Sequence, residues 1–287
     1  MINPMSAEVS ELVSSIPNLE LRPPGIWFSR VNAPVSYPQN AHSDLFKAED
    51  ASFWFRHRSR CIVHLVRKFS SNGIFLDIGG GNGFVARDLA EIGKHCVLIE
   101  PGLDGALAAQ SRGITPVICS RVEEIGIRPE SIADCGLFDV IEHIENDQEI
   151  LGHIRTWLRP GGHMFINVPA HQWLFSAEDI HAGHFRRYST ESLSRVLNKA
   201  GFEVVFMSYL FAPLAVPIFL LRALPYRLGL RRRANSNVQE DHKPNAAIET
   251  GLEYLLMREL RSLQRERPIP FGTSCLCVAK RRSDSES

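Results

Sequence analysis

The stretch FLDIGGGNGF, residues 75–84, restricts the fold more than any other part of the chain. A short apolar run ends in an acid, Asp77, and leads into glycines at every second position, Gly79, Gly81 and Gly83. The run itself suits a buried strand, and residues 84–92 are patterned as a helix. A strand that turns this tightly into a helix needs residues that take positive φ, which glycine does at no steric cost. The missing side chains also let a ligand approach the backbone, where the helix N-terminus offers unpaired N–H groups.

The alternation continues down the chain. The pattern predicts a helix over 51–69, a strand at CVLIE (96–100), a helix over 103–112 and a strand at 115–119. Further strands are expected at IADCGLF (132–138), at HMFINVP after the turn RPGG, at FEVVFMSYL after Gly201, and at TSCLCVAKR near the end. Helices are expected over 148–158 and 190–200, the latter capped by Ser189 or Thr190. Strands alternating with helices predict a parallel sheet covered on both faces. In such sheets ligands bind beyond the carboxyl ends of the strands, where the strand order reverses.

Residues 1–50 read as an N-terminal arm, rich in Pro, Ser and Asn, with at most one short helix near 7–15. Residues 51–209 and 272–282 form the core, and 210–271 an insertion between the last two strands. Lys+Arg and Asp+Glu both number 32, a zero balance that argues against a nucleic-acid partner. The six cysteines show no CxxC pair, which favours reduced, buried thiols. The first residues carry acids and no apolar core, so a cytoplasmic location is expected.

Glu100 ends the second strand, 17 residues after Gly83. A carboxylate there can accept hydrogen bonds from both hydroxyls of a ribose, which suits any adenosine cofactor, NAD included. Asp77 inside the turn would repel a pyrophosphate and attract a cationic amino-acid head. The spacing is also GxGxG and not the dinucleotide GxGxxG.

Four stretches in order, FLDIGGGNGF (75–84), LIEPG (98–102), LFDVIEHIEND (137–147) and LRPGGHMFINVPA (158–170), resemble the class I S-adenosylmethionine-dependent methyltransferases. Glu142-His143 is similar to the small-molecule branch of that family. The resemblance implies an α/β, Rossmann-like, seven-stranded and mostly parallel sheet with an antiparallel last strand. It also implies an enzyme with S-adenosylmethionine as cofactor. The methionine part would lie on Gly79, Gly81 and Gly83 near Asp77, the ribose at Glu100, and the sulfonium side along Phe138 and Asp139. Arg121 stands where many relatives carry an acid, so adenine recognition would fall to backbone groups or Glu123. In FWFRHR (53–58), Arg56 and Arg58 either close over the cofactor, an arginine holding its carboxylate, or lie in water on an amphipathic helix.

The acceptor side offers two groups of residues. His143 is a candidate base, or a histidine capping local backbone. The segment AEDIHAGHFRRYS (177–189) holds His184, a second candidate base. It also holds His181, Arg186, Arg187 and Tyr188, candidate acceptor contacts in which the arginines meet an anion. The alternative there is a self-contained salt-bridge network. No metal is expected, since His171, His181 and His184 match no standard zinc spacing. In the insertion, FAPLAVPIFLLRALPYRLGL (211–230) reads as a proline-broken lid, followed by a polar stretch over 231–246 and a helix over 247–267. Val204 to Leu221 is long enough for a membrane span, but Pro213 and Pro217 interrupt it. Residues 211–233 could instead meet a membrane interface through their arginines. The acceptor is therefore expected to be small or lipid-linked, with O-methylation slightly ahead of N-methylation. An NAD-dependent oxidoreductase and a non-catalytic cofactor-binding protein are the rival readings.

Overall fold

The computed structural model describes residues 4–30, 49–50, 52–230 and 246–283. Nine strands form one sheet: β1 (Leu19–Arg22), β2 (Ile26–Ser29), β3 (Ile74–Ile78), β4 (His95–Ile99), β5 (Val117–Cys119), β6 (Ile132–Phe138), β7 (Leu158–Pro169), β8 (Phe202–Leu210) and β9 (Ser274–Arg281). Their spatial order is β1-β2-β5-β4-β3-β6-β7-β9-β8. Strands β5 to β3 run outward in one direction and β6 and β7 in the other, so the order reverses between β3 and β6. Every residue of β3 and of β6 is buried. That is the pattern of strands covered on both faces.

Seven strands match the expected core, with β9 antiparallel to both β7 and β8. The other two correct the reading of the N-terminal arm. Residues 19–29 form an antiparallel hairpin whose second strand pairs in parallel with β5. RPPG, part of the proline-rich arm in which no strand was expected, is the hairpin turn, closed by Gly25 N–H donating to the Arg22 carbonyl at 2.8 Å. The short helix expected near 7–15 is α1 (Pro4–Ser14).

The other long helices fall near their expected places: α2 (Phe53–Phe69), α3 (Phe84–Glu91), α4 (Leu103–Ser111) and α5 (Asp147–Trp157). Ser52 caps α2 by accepting from Trp54 N–H, and Arg67 and Lys68 in its last turn suit the negative end of the helix dipole. A six-residue helix, α6 (Ala177–Ala182), was not expected and precedes α7 (Thr190–Lys199). One core cluster packs Leu12, Ile150, Leu151 and Leu193 against one face of the sheet. The other packs Leu65, Leu89, Ala106 and Leu260 on the opposite face.

The insertion leaves β8 at Phe211 and runs through short helical turns, Ala212–Leu214, Ala215–Ile218 and Leu224–Arg227, with a π-helical stretch at Phe219–Ala223. Residues 231–245, which include the arginines at 231–233, lie outside the described residues. The chain returns as α8 (Ala246–Gln264). Glu259 of α8 clasps the start of the insertion: its carboxylate accepts from Phe211 N–H at 2.9 Å and Ala212 N–H at 2.7 Å. His57 of α2 sits 3.2 Å from the same group. Among the described residues no helix is long and apolar enough to cross a membrane.

Candidate active site at the strand-order reversal

The glycine turn lies at the carboxyl end of β3, beside the reversal. Gly79 and Gly80 N–H both donate to the Ile99 carbonyl, which ties the turn to the end of β4. Gly83 is left-handed, at φ 74°, and a Cβ there would come within 3.0 Å of Ala109 Cβ. It is therefore needed for the helix to close on its neighbour. Gly81 is also left-handed, at φ 53°, yet a Cβ there would meet nothing within 4 Å. The space before Gly81 is open to a ligand.

Two carboxylates frame that space. Glu100 accepts from Gly81 N–H at 2.9 Å and from Gly102 N–H at 2.7 Å. Asp77 is 1% exposed, and neither of its oxygens has a hydrogen-bond partner. Burial pushes its pKa up to about 7; Arg58 opposes the rise and Glu100 adds to it. A buried acid without a partner is costly. A cationic head seated at the turn would supply what it lacks, so these residues fit an amino-acid ammonium with a ribose one strand over.

At the end of β6, Asp139 takes φ 60° and its N–H donates to the Asn167 carbonyl at 2.8 Å. Its carboxylate accepts from Asn167 Nδ2 at 2.8 Å and from Arg58 Nη1. The Arg58 guanidinium is buried over the Trp54 ring, 4.8 Å from its centroid, and burial lowers its pKa to about 10. Arg58 is thus neither in water nor bonded to a ligand alone: it spends a hydrogen bond on Asp139. Arg56 pairs with Glu253 of α8 at 2.8 Å and donates to the Asp50 carbonyl at 3.3 Å. The Phe138 ring lies in the core beside Gly136 and Phe75, which leaves the backbone and Asp139 to face the site. Glu123, the alternative adenine contact, is exposed. Sequence reasoning missed Glu49, which is buried, pairs with Arg112 at 2.8 Å and accepts from Asn82 of the turn at 3.3 Å.

The polar segment after β7 is organised by one acid. Asp179 accepts from Ser176 N–H, completing a capping box at the start of α6. It also lies 2.8 Å from His184 Nδ1 and accepts from Arg187 Nε at 2.7 Å and Nη2 at 3.0 Å. Burial alone would raise its pKa, but the His184 bond and the Arg187 charge pull it down to about 2. Arg186 donates to Asp147 at 3.0 Å and to the Glu145 carbonyl at 2.6 Å, and the buried Tyr188 hydroxyl donates to Asp147 at 3.0 Å. Arg186, Arg187 and Tyr188 therefore fasten the segment to itself and to α5, the salt-bridge alternative of the sequence reading. His181 is exposed.

His143 and His184 are brought together, their ring centroids 4.7 Å apart. Burial, and then the neighbouring His184, lower the His143 pKa to about 4, so its ring is neutral near pH 7. Glu142 beside it is buried with no hydrogen bond from any other residue, and burial pushes its pKa up to about 8 against the pull of its own backbone N–H. His171 goes elsewhere: it stacks on Tyr209 and Phe271 at 4.7 and 5.1 Å. Trp173 stacks on Phe271 and meets Phe219 of the insertion at 5.3 Å, which gives an aromatic wall between the β7 loop and the insertion.

The family model described as a methyltransferase domain matches residues 52–206. A probable S-adenosylmethionine-dependent methyltransferase from Mycolicibacterium smegmatis is 23% identical over 176 residues, covering 60% of this chain and 67% of its own length. The ubiquinone biosynthesis O-methyltransferase of Colwellia psychrerythraea is 23% identical over 109 residues, 34% of this chain; the chain spans 44% of that relative's length. Among solved structures, a Thermotoga maritima S-adenosylmethionine-dependent methyltransferase aligns with a TM-score of 0.53 at 17% identity, over 85% of this chain and 95% of that one. Phosphoethanolamine N-methyltransferase 2 of Haemonchus contortus aligns at 0.54 and 16% identity, over 90% of this chain and 62% of that one. At these identities the structural likeness is one of fold.

Proposed function

The chain belongs to the S-adenosylmethionine-dependent methyltransferases, and on that footing we propose that it methylates a small or lipid-linked acceptor, with oxygen slightly favoured over nitrogen as the receiving atom. The observation that carries the cofactor assignment is the buried, unpartnered Asp77 carboxylate beneath a glycine turn that is open at Gly81. Asp77 receives the ammonium of the methionine part. Glu100 keeps lone pairs for the ribose hydroxyls beyond those given to Gly81 and Gly102. Asp139, fixed by Arg58 and Asn167, borders the reacting end. Bound S-adenosylmethionine supplies an electrophilic methyl group on a sulfonium, activated enough that alignment provides much of the rate.

On the acceptor side, His143 and His184 are the groups able to handle the proton of a hydroxyl, a task that a neutral amine acceptor does not require. The likeness to ubiquinone biosynthesis O-methyltransferases supports oxygen. The aromatic wall at Trp173, Phe219 and Phe271 supports an apolar acceptor. Beyond it the insertion exposes Val216, Leu220, Leu221, Leu228 and Leu230 close to Arg222 and Arg227. That combination suits a lipid surface, with apolar side chains entering it and arginines at its headgroups. Residues 210–271 then act as the acceptor-side cap on the core.

Calorimetry with S-adenosylhomocysteine tests the cofactor assignment, and a flat titration would sink it. Radiolabelled methyl transfer to matched phenol and amine acceptors, with and without a lipid tail, tests the rest. Transfer confined to short-chain amines would refute the lipid-linked oxygen acceptor.

A further inference from the structure

Glu142, His143 and His184 bring three potential ligand atoms within 4.8 Å of one another. Glu142 and His143 follow β6 directly, and His184 arrives from the segment after α6, so the cluster is closed by the fold. Three features set it apart from a chance grouping. Glu142 is 0% exposed, and no other residue gives either of its oxygens a hydrogen bond; only its own backbone N–H lies near. A polar packing role would have satisfied them. His184 is oriented through Nδ1 by Asp179 at 2.8 Å, which directs Nε2 the other way. A carboxylate behind a histidine is the usual outer support of a metal ligand. Asp179 is in turn held by Arg187 through two bonds and by the capping box of α6.

The surrounding charge agrees. The cations facing Glu142 are Arg58 and Arg187. Arg58 is already matched by Asp139 and Arg187 by Asp179. Glu142 is thus left as a buried acid without a cation in direct contact, beside two imidazoles. His143 is tied to the Ala182 carbonyl, which fixes its ring.

We propose that Glu142, His143 and His184 bind a divalent transition metal of the zinc class, with an open coordination position that takes an oxygen of the acceptor. Two nitrogens and one oxygen from the protein, with a place left over, are the donor set of catalytic zinc sites. Bonds of about 2.0–2.2 Å require the ligand atoms to draw in by roughly 1 Å, a side-chain adjustment. The role of the open position rests on the methyl-transfer reading. A hydroxyl bound there loses its proton to water more readily, because the metal stabilises the oxyanion. The oxyanion then forms the new O–C bond as the S–C bond breaks, leaving S-adenosylhomocysteine. His143 and His184 then serve the hydroxyl's proton loss through the metal they hold, in place of accepting the proton directly.

Titration of metal-stripped, full-length protein with Co²⁺ tests the site by the visible absorption of the bound ion, alongside calorimetry with Zn²⁺. One equivalent is expected, with binding at least 100-fold weaker in Glu142→Gln and His184→Ala. Asp179→Asn is expected to weaken binding by about 10–100-fold, as for other outer supports. His153→Ala, an exposed histidine on α5, keeps full affinity. S-adenosylhomocysteine binding is measured on every variant and is retained in each, which shows the fold to be intact. Loss of metal binding with cofactor binding kept thus isolates the site. Absence of a stoichiometric Co²⁺ spectrum in the wild type would overturn the proposal. So would metal affinity in His184→Ala equal to that of the wild type, or lost equally in His153→Ala.

Discussion

Replacing Asp77 by Asn should strengthen the free protein and weaken its hold on the cofactor. The carboxyl is buried, lacks a partner and titrates near pH 7 in the folded chain, against an ordinary value of 3.8. The unfolded chain gives up this proton near the ordinary value, and the folded chain keeps it until about pH 7. Stability from this group is therefore complete at low pH, falls as pH rises through that interval, and stays low above it. Three pH units correspond to a ceiling of about 4 kcal/mol, and relaxation with water entry brings the expected gain of the Asn variant at pH 8 to roughly 2 kcal/mol. At pH 4 the gain should shrink to roughly 0.5 kcal/mol, since the folded wild type then holds the proton and the unfolded chain holds it a little under half the time. The amide cannot neutralise an ammonium, so affinity for S-adenosylhomocysteine should drop by about 100-fold, the scale of a lost buried charge-assisted bond. Urea unfolding at pH 4 and pH 8 gives the first quantity and calorimetry the second. A variant less stable than wild type at pH 8, or one with undiminished cofactor affinity, would refute the assignment of Asp77 as a site held in wait for a cation.

Three further outcomes are expected. Glu100→Gln should raise the dissociation constant for S-adenosylhomocysteine by at least about 10-fold, because one amide group cannot accept from two N–H groups and two hydroxyls together; calorimetry checks it. Arg187→Ala should shift acid unfolding. Asp179 is held near 2, so its contribution of about 2–3 kcal/mol is present above pH 4 and fades as pH falls towards 2. Without Arg187 that loss begins at higher pH in an acid titration followed by circular dichroism. Glu259→Ala should cost roughly 1–3 kcal/mol by leaving two backbone donors without an acceptor, and hydrogen exchange at Phe211 and Ala212 should quicken selectively.

Much of this molecule is legible in the linear chain because its signals are local. The apolar runs IFLDI and IADCGLF declare buried strands, and FLDIGGGNGF and Glu100 place the acids Asp77 and Glu100 at adjacent strand ends. Signals that depend on distant partners are not legible in this way. LELR and IWFS are short, and the prolines between them look like disorder until the edge of β5 gives them a strand to join. The six residues of α6 are too few for a periodic pattern, and its capping box becomes meaningful only once Asp179 also meets His184 and Arg187. Arg186, Arg187 and Tyr188 look like ligand contacts because nothing nearby in sequence satisfies them; Asp147, some forty positions upstream, takes two of the three. For the same reason His184 pairs in sequence with His181 and in space with His143.

The clasp at Glu259 has a consequence for how this enzyme could change its substrate. Phe211, whose N–H that carboxylate holds, stacks on Trp54, and Trp54 in turn carries the Arg58 that steadies Asp139. The root of the insertion is thus tied through Trp54 and Arg58 to Asp139 at the end of β6, and alterations there would be felt on both sides. Its outer turns, from Val216 to Leu230, hang beyond that tie with many apolar side chains in the open. On the proposed function, those turns can be rewritten over evolutionary time to change the acceptor while the sheet and the glycine turn keep their shape.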